Sequence, residues 1–305
     1  MKLYRSMLFV PGNRPEWMDK APQYKPDALL IDLEDAVPIA EKKATRQKVR
    51  DGIARLQKRN VPVIVRVNGI NTGLTGEDIE AIVSPGLVGI AIPKLEFAEE
   101  IRKIDAWIEL FEQKAGMEHN SVKIVAIPET ARGIMNAYEL ASACKRVGTI
   151  TGSMSNRSGD VTKAIGYQST RGELENLYQA SHVLLAARAA GIEYPLAGAP
   201  LEVKDLAFIR EQMKRARQIG YRSAMVIHPT AVPIANEEFS PSREEIEWNK
   251  GILKAMADAE AAGRAAVTYD GMMVDYAHVR NALDLIHQAE AFGMDVGTYP
   301  DIKAL

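Results

Sequence analysis

Residues 29–37 read LLIDLEDAV, an apolar run that ends in Asp32, Glu34 and Asp35, three acids within four residues. The run is apolar nearly throughout instead of alternating, as befits a strand covered on both faces. One explanation of the acids is plain: a strand entering a solvated turn or the first turn of a helix, where negative charge is favourable. The other is that they gather around a cation. What the other strand ends carry decides between the two.

Seven further runs of the same kind flank this one: SMLFVPG, VPVIVRVN, VGIAIPKLE, KIVAIPET, VGTITGSM, GIEYPLAG and SAMVIHP. Helical stretches separate them. TRGELENLYQASHVLLAARAAG, for example, is amphipathic and ends at Gly191, a good residue to close a helix. Eight strand–helix units in roughly 230 residues is the arithmetic of a (β/α)8 TIM barrel. A doubly wound open sheet is the competing architecture, but no G-x-G-x-x-G follows the first strand. The expected division is therefore a barrel over residues 1–239 and an appendage over 240–305, read as helices interrupted by VTYDGMMVD.

Composition narrows the partners. The chain has 305 residues, 47% of them hydrophobic, which is enough for a large core. Lys and Arg total 38 against 40 Asp and Glu, a net charge of −2, so no basic field exists for nucleic acid or an anionic membrane. Small molecules and other subunits are the expected partners. Cys144 is the single cysteine, so no internal disulfide and no cysteine pair for zinc can form, which suits a reducing, cytoplasmic setting. The opening MKLYRSMLFVPGN is cut by Pro11 too early for a signal segment, and no run approaches the roughly 20 apolar residues of a membrane span.

In a TIM barrel, residues distant in sequence meet where strands give way to loops at the C-terminal face. Strand 2 brings Asp32, Glu34 and Asp35 there, strand 3 Arg66 and Asn68, strand 4 Lys94 and Glu96, strand 5 Glu129, and strand 8 His228; Asp160 follows strand 6. Several carboxylates with one arginine and no histidine or cysteine cluster describe a hard oxygen-ligand site for Mg²⁺, with Mn²⁺ as a substitute. Each residue has a structural reading as well. Glu129 and Asp160 are placed to cap the helices that follow them, Arg66 to pair with the strand 2 acids, and Lys94 to be a solvated or paired loop lysine. His228 reads as a satisfied histidine at a strand end. No nucleophile elbow, Walker motif or H-E-x-x-H spacing is present.

Taken in order, RSMLFVPGN, LLIDLEDAV, VIVRVNG, AIPKLE, IPETARG, ARAAG, IHPTAVPIANEEFSPS and DGMMVD resemble the citrate lyase β-subunit-like branch of the HpcH/HpaI aldolase family, which includes malyl-CoA and citramalyl-CoA lyases. The resemblance covers almost the whole chain. It implies a TIM barrel with a C-terminal helical lid over 240–305, often assembled as a homotrimer. It also implies a Mg²⁺-dependent reaction that breaks or forms the bond between an acetyl-type CoA thioester and a 2-oxo acid. Carried over by motif, Glu129 and Asp160 are the metal ligands and Arg66 grips the substrate's carboxylate and oxygen. Asp32, Glu34 and Asp35 hold metal-bound waters or orient Arg66. Arg5 with the VPGN turn meets the CoA moiety. Asp275 is the lid aspartate that reaches a neighbouring subunit's site and moves a proton; its other reading is the N-cap of the helix that follows.

Two stretches depart from the family pattern. Arg157, Ser158, Gly159 and Asp160 stand where G-x-E-D is usual, and YPLAGAP stands where an Asp-Thr pair is expected after strand 7. Three other chemistries share these motifs: a metal-dependent pyruvate-type aldolase acting without CoA, a barrel that binds acyl-CoA or a keto acid without turnover, and a Schiff-base aldolase using Lys94.

Overall fold

The computed structural model describes residues 1–152 and 159–302; the departure from the family pattern at Arg157 and Ser158 lies outside the described residues. The chain divides into two compact units, Met1–Phe239 and Ser240–Leu305.

The first unit closes eight parallel strands into a barrel in sequence order. They are β1 (Ser6–Pro11), β2 (Ala28–Asp32), β3 (Val63–Arg66), β4 (Leu87–Pro93), β5 (Lys123–Ile127), β6 (Val147–Gly152), β7 (Leu196–Ala197) and β8 (Ser223–Val226). The eight apolar runs are these eight strands. Closure comes from β1 on β8, where Met7 pairs with Met225 and Leu8 with Val226, and it rules out the open sheet. The intervening helices are α1 (Pro15–Lys20), α2 (Lys42–Gln57), α3 (Thr75–Ile82), α4 (Ala98–Lys114), α5 (Ala131–Met135), α6 (Ala137–Ala141), α7 (Gly159–Ile165), α8 (Leu174–Ala189), α9 (Leu206–Ile219) and α10 (Ala231–Glu238).

Alternate residues of a strand face opposite ways, and this period positions the site. Leu29 and Ile31 of β2 and Val63 and Val65 of β3 join the core between sheet and helices. Ala28, Leu30, Ile64, Val125 and Ile127 pack together inside the barrel. Continued by one step, the inward series reaches Asp32, Arg66 and Glu129. The last interior layer at the C-terminal end therefore carries charge, directly above the apolar Leu30, Ile64 and Ile127. Asp32 and Arg66 are also register partners across β2 and β3. Gly12 fixes the rim beside them: its N–H donates to the Asp32 carbonyl at 2.8 Å. A Cβ there would stand 2.7 Å from that oxygen, so no other residue fits without a shift.

The second unit contains α11 (Arg243–Ala261), β9 (Ala266–Tyr269), β10 (Met272–Asp275) and α12 (Tyr276–Ala291). The interruption in its helical pattern is an antiparallel hairpin turning at Asp270 and Gly271, both with positive φ, as an Asp-Gly pair favours. Val274, Val279, Ala282 and Ile286 pack against Ile246, Leu253 and Met256 of the same unit. The apolar face of GMMVDYAHVRNALDLI is thus largely covered within its own unit; Met272 and Met273 remain exposed. Among the described residues no helix is long and apolar enough to cross a membrane.

Candidate active site

Arg66 projects from the end of β3 over the ring of Phe9, with its guanidinium carbon 4.9 Å from the ring centroid. Nε donates to Asp32 Oδ1 at 2.8 Å and Nη2 donates to Asp32 Oδ2 at 2.7 Å, a two-pronged pair. Nη1 stands 2.9 Å from Glu34 Oε2 as an ion pair without hydrogen-bond alignment. Burial opposes the charge on Arg66, but the bonds and charge of Asp32 and Glu34 outweigh it and keep the guanidinium protonated. The group carries five N–H donors, so some remain for a ligand in the cavity that Arg66 lines.

Asp32 also accepts from the backbone N–H groups of Glu34 and Ala36, which fixes the turn after β2. Glu34 is buried, and burial raises its pKa against the pull of Arg66 and Lys94. Asp35 is largely exposed and lies at the cavity edge.

Glu129 follows β5, and the helix behind it is capped by another residue: Thr130 Oγ1 accepts from Gly133 N–H at 3.0 Å. Glu129 is therefore free of the capping role. Its Oε1 is buried with no hydrogen-bond partner. Burial, then the nearby charges of Glu34 and Asp160, push its carboxyl up to about 7, with Arg66 and Lys94 offsetting only part. Asp160 lies within the first turn of α7, where a carboxylate is favoured, and its side chain is partly exposed.

An orphaned carboxylate oxygen in a crowd of negative charge is the condition a hard cation relieves, so the residues present fit a divalent ion held by Glu129 and Asp160. Among the described residues no group of three or more His, Cys, Asp or Glu is arranged to hold an ion unaided. Water or substrate oxygens would fill the other positions.

These groups open into a cavity of about 780 Å³ at the strand ends. Its lining includes Asp32, Arg66, Glu129 and Asp160, and also Trp17 and Lys20 of α1 with Tyr24. Gly198 and Ala199, from the segment that departs from the family pattern, also line it. His228 joins at the end of β8, its Nδ1 2.8 Å from Thr230 Oγ1.

Other expected residues lie elsewhere. Arg5 is a correction: it precedes β1, at the opposite rim of the barrel, where its Nε and Nη2 donate to Asp27, the residue before β2. Asn68 is a structural residue, donating to Leu33 O and Asp78. Glu96 pairs with Arg132 at 3.5 Å. Asp275 belongs to the second unit, where it caps α12: Oδ1 accepts from Ala277 N–H and lies 2.8 Å from His278 Nδ1. Lys94, read from the sequence as a solvated or paired loop lysine, is a paired one. Its Nζ lies 2.8 Å from Glu34 Oε1, 3.5 Å from Asp160 Oδ2 and 3.8 Å from Asp35 Oδ2. The signal was its position directly after Pro93, level with the other strand ends.

Fold and site together define a (β/α)8 barrel with an acid-and-arginine centre at its C-terminal face. The chain belongs to the HpcH/HpaI aldolase/citrate lyase family, matched over residues 5–229. It is 30% identical over 292 residues to the citrate lyase subunit beta of Haemophilus influenzae, covering 95% of this chain and 98% of that one. It is also 30% identical over 288 residues to a (3S)-malyl-CoA thioesterase of Cereibacter sphaeroides, covering 94% and 95%. The CitE protein of Mycobacterium tuberculosis, solved with magnesium, acetoacetate and coenzyme A, superposes with a TM-score of 0.72 at 26% identity, covering 93% of this chain and 97% of that one.

Proposed function

We propose that the protein is a Mg²⁺-dependent carbon–carbon lyase that cleaves, or in reverse forms, a 3-hydroxy-3-carboxyacyl-CoA, giving an acetyl-type thioester and a 2-oxo acid. The observation that carries this reading is the unpartnered, buried oxygen of Glu129 beside Asp160, under the fixed guanidinium of Arg66. Magnesium and coenzyme A bound to CitE support the cofactor and the carrier.

When bound, Mg²⁺ would supply Lewis-acid stabilisation of the substrate's hydroxyl and carboxylate oxygens. Glu129 and Asp160 would hold it. Arg66 would donate its free N–H groups to the same oxygens, an always-charged donor preset by Asp32 and Glu34. Cleavage breaks the bond between the hydroxyl-bearing carbon and the thioester's α-carbon. The hydroxyl proton passes to a base, the carbinol carbon becomes the ketone, and the bonding pair leaves as the thioester enolate, which takes up a proton. Asp275 is proposed for one of these transfers, supplied by the 240–305 segment acting as the lid of a neighbouring subunit in a trimer.

The cavity suits this substrate in two parts. Its lining is apolar at Ile127, Ile134, Val161 and Met225 and includes Gly198 and Ala199. That lining accommodates the methyl of pyruvate better than a second carboxylate, so citramalyl-CoA is the favoured member of the class. Trp17, Lys20 and Tyr24 of the same lining offer apolar surface and one cation that would suit the carrier. A Schiff-base route through Lys94 is disfavoured. Burial works against its charge, but Glu34, Asp35 and Asp160 outweigh that and hold the amine protonated.

The test is a panel of malyl-, citramalyl- and citryl-CoA, with Mg²⁺ and with excess EDTA. The reading expects citramalyl-CoA to lead and EDTA to abolish turnover. Equal rates in EDTA, or turnover of free hydroxy-oxo acids but of no thioester, would replace it with a different chemistry.

A further inference from the structure

A divalent ion set between Glu129 and Asp160 would attract every carboxylate in reach, and Glu34 and Asp35 stand on the adjoining loop. An ion fully wrapped by protein acids has no position left for a substrate. Two fixed cations prevent this. Glu34 is held at both oxygens, Oε1 by Lys94 Nζ at 2.8 Å and Oε2 by Arg66 Nη1 at 2.9 Å, and it is only 5% exposed. The hydrogen bond at Oε1 and the ion pair at Oε2 both oppose its turning toward a metal. The same ammonium lies within 4 Å of the acid on either side of that cluster, Asp35 at 3.8 Å and Asp160 at 3.5 Å.

The backbone shows how the ammonium comes to be there. Lys94 directly follows the last residue of β4 and has φ +57°, the left-handed region that an L-residue other than glycine, asparagine or aspartate seldom occupies. The turn sends its side chain toward the β2 and α7 acids. A glycine would relieve the backbone but supply no cation.

We infer that Lys94 is a positioning residue that keeps Glu34 and Asp35 out of the metal's coordination sphere and steadies Asp160 toward it, so that the bound ion keeps open positions for the substrate. This role rests on the reading of Glu129 and Asp160 as metal ligands. Lys94 is not among the residues that line the cavity. It acts on the acids that would otherwise compete with substrate oxygens.

Mn²⁺ is the probe, because the relaxation of solvent protons reports how many exchangeable waters a bound Mn²⁺ retains. In the full chain, K94M should lose at least one of those waters, bind Mn²⁺ about tenfold more tightly because a nearby positive charge is gone, and lose turnover. E34Q added to K94M should restore the lost water, since the invading ligand has been removed. K94Q reports on the same question should K94M not fold. Unchanged hydration, or weakened Mn²⁺ binding, in a Lys94 variant that unfolds at the unaltered protein's temperature would overturn the role. No Mn²⁺ binding by the unaltered protein, or binding undiminished in D160N and E129Q, would overturn the ligand assignment itself and is read before Lys94 is altered.

Discussion

Arg66 and Asp32 meet through two parallel hydrogen bonds, Nε to Oδ1 at 2.8 Å and Nη2 to Oδ2 at 2.7 Å, between register partners on adjacent strands. The pair holds the guanidinium plane at a set angle above Phe9, so its remaining donors face the cavity without searching for a geometry. Asp32 is fixed in turn by the N–H groups of Glu34 and Ala36. The substrate would thus meet a cation already oriented.

Arg66→Lys keeps the charge but cannot reproduce two parallel N–H bonds to Asp32 while also donating to a ligand. We expect turnover to fall by roughly 10²-fold or more, as for loss of a preset oxyanion donor. The chain should remain folded. Steady-state kinetics beside a thermal melt separates this from a purely structural role, in which the melt would drop and the folded fraction would keep its rate.

Glu129 gives the metal-free protein an unusual pH dependence. Its carboxyl is raised from an ordinary 4.5 to about 7, so between those values the folded chain holds a proton that the unfolded chain has released. Stability is therefore greatest below about pH 4.5 for this group and declines as pH rises toward 7, by on the order of 3 kcal/mol. Glu34, also raised by burial, acts in the same direction. Added Mg²⁺ should reverse the decline above pH 7, and its affinity should weaken below that pH as the proton competes. Urea unfolding at several pH values, with and without Mg²⁺, checks both; E129Q should flatten each profile.

Asp275 can be separated from its cap. Asparagine caps a helix about as well as aspartate but carries no charge to move a proton. D275N should therefore melt like the unaltered protein while losing turnover, whereas D275A should lose both. Mixed oligomers of D275A and R66A chains should recover part of the activity if the aspartate serves a neighbour. Normal turnover in D275N would leave Asp275 as the α12 cap and nothing more.

Gly12→Ala tests the coupling of rim and site. The added methyl would meet the Asp32 carbonyl at 2.7 Å and Val49 at 2.9 Å, so the end of β2 must move. We expect a loss of about 2 kcal/mol or more in urea unfolding. Activity should fall further than the unfolded fraction explains, because Asp32 carries Arg66.

The barrel was readable from the sequence because strands buried on both faces show as apolar runs, and eight such runs leave few alternatives. Period two then carries the inward series from Leu30 to Asp32 and from Ile64 to Arg66, so the charged layer follows from the same pattern. Arg5 was misplaced because nearness in sequence to the VPGN turn hides the length of a strand: β1 separates the two by most of its run, about 3.3 Å per residue. Lys94 depends on a left-handed turn and on acids brought from two other loops, neither of which is a local signal. The hairpin in the second unit did carry its signal, Asp270-Gly271, but the helical stretches around it drew the reading.

The most direct measurement is product analysis of citramalyl-CoA incubated with the protein and Mg²⁺. Carbon–carbon cleavage yields acetyl-CoA and pyruvate in equal amounts and no free CoA, with neither product in excess EDTA and both formed far more slowly by R66K; the account predicts this result. Free CoA with citramalate, the outcome of thioester hydrolysis, or undiminished turnover without metal, would contradict it.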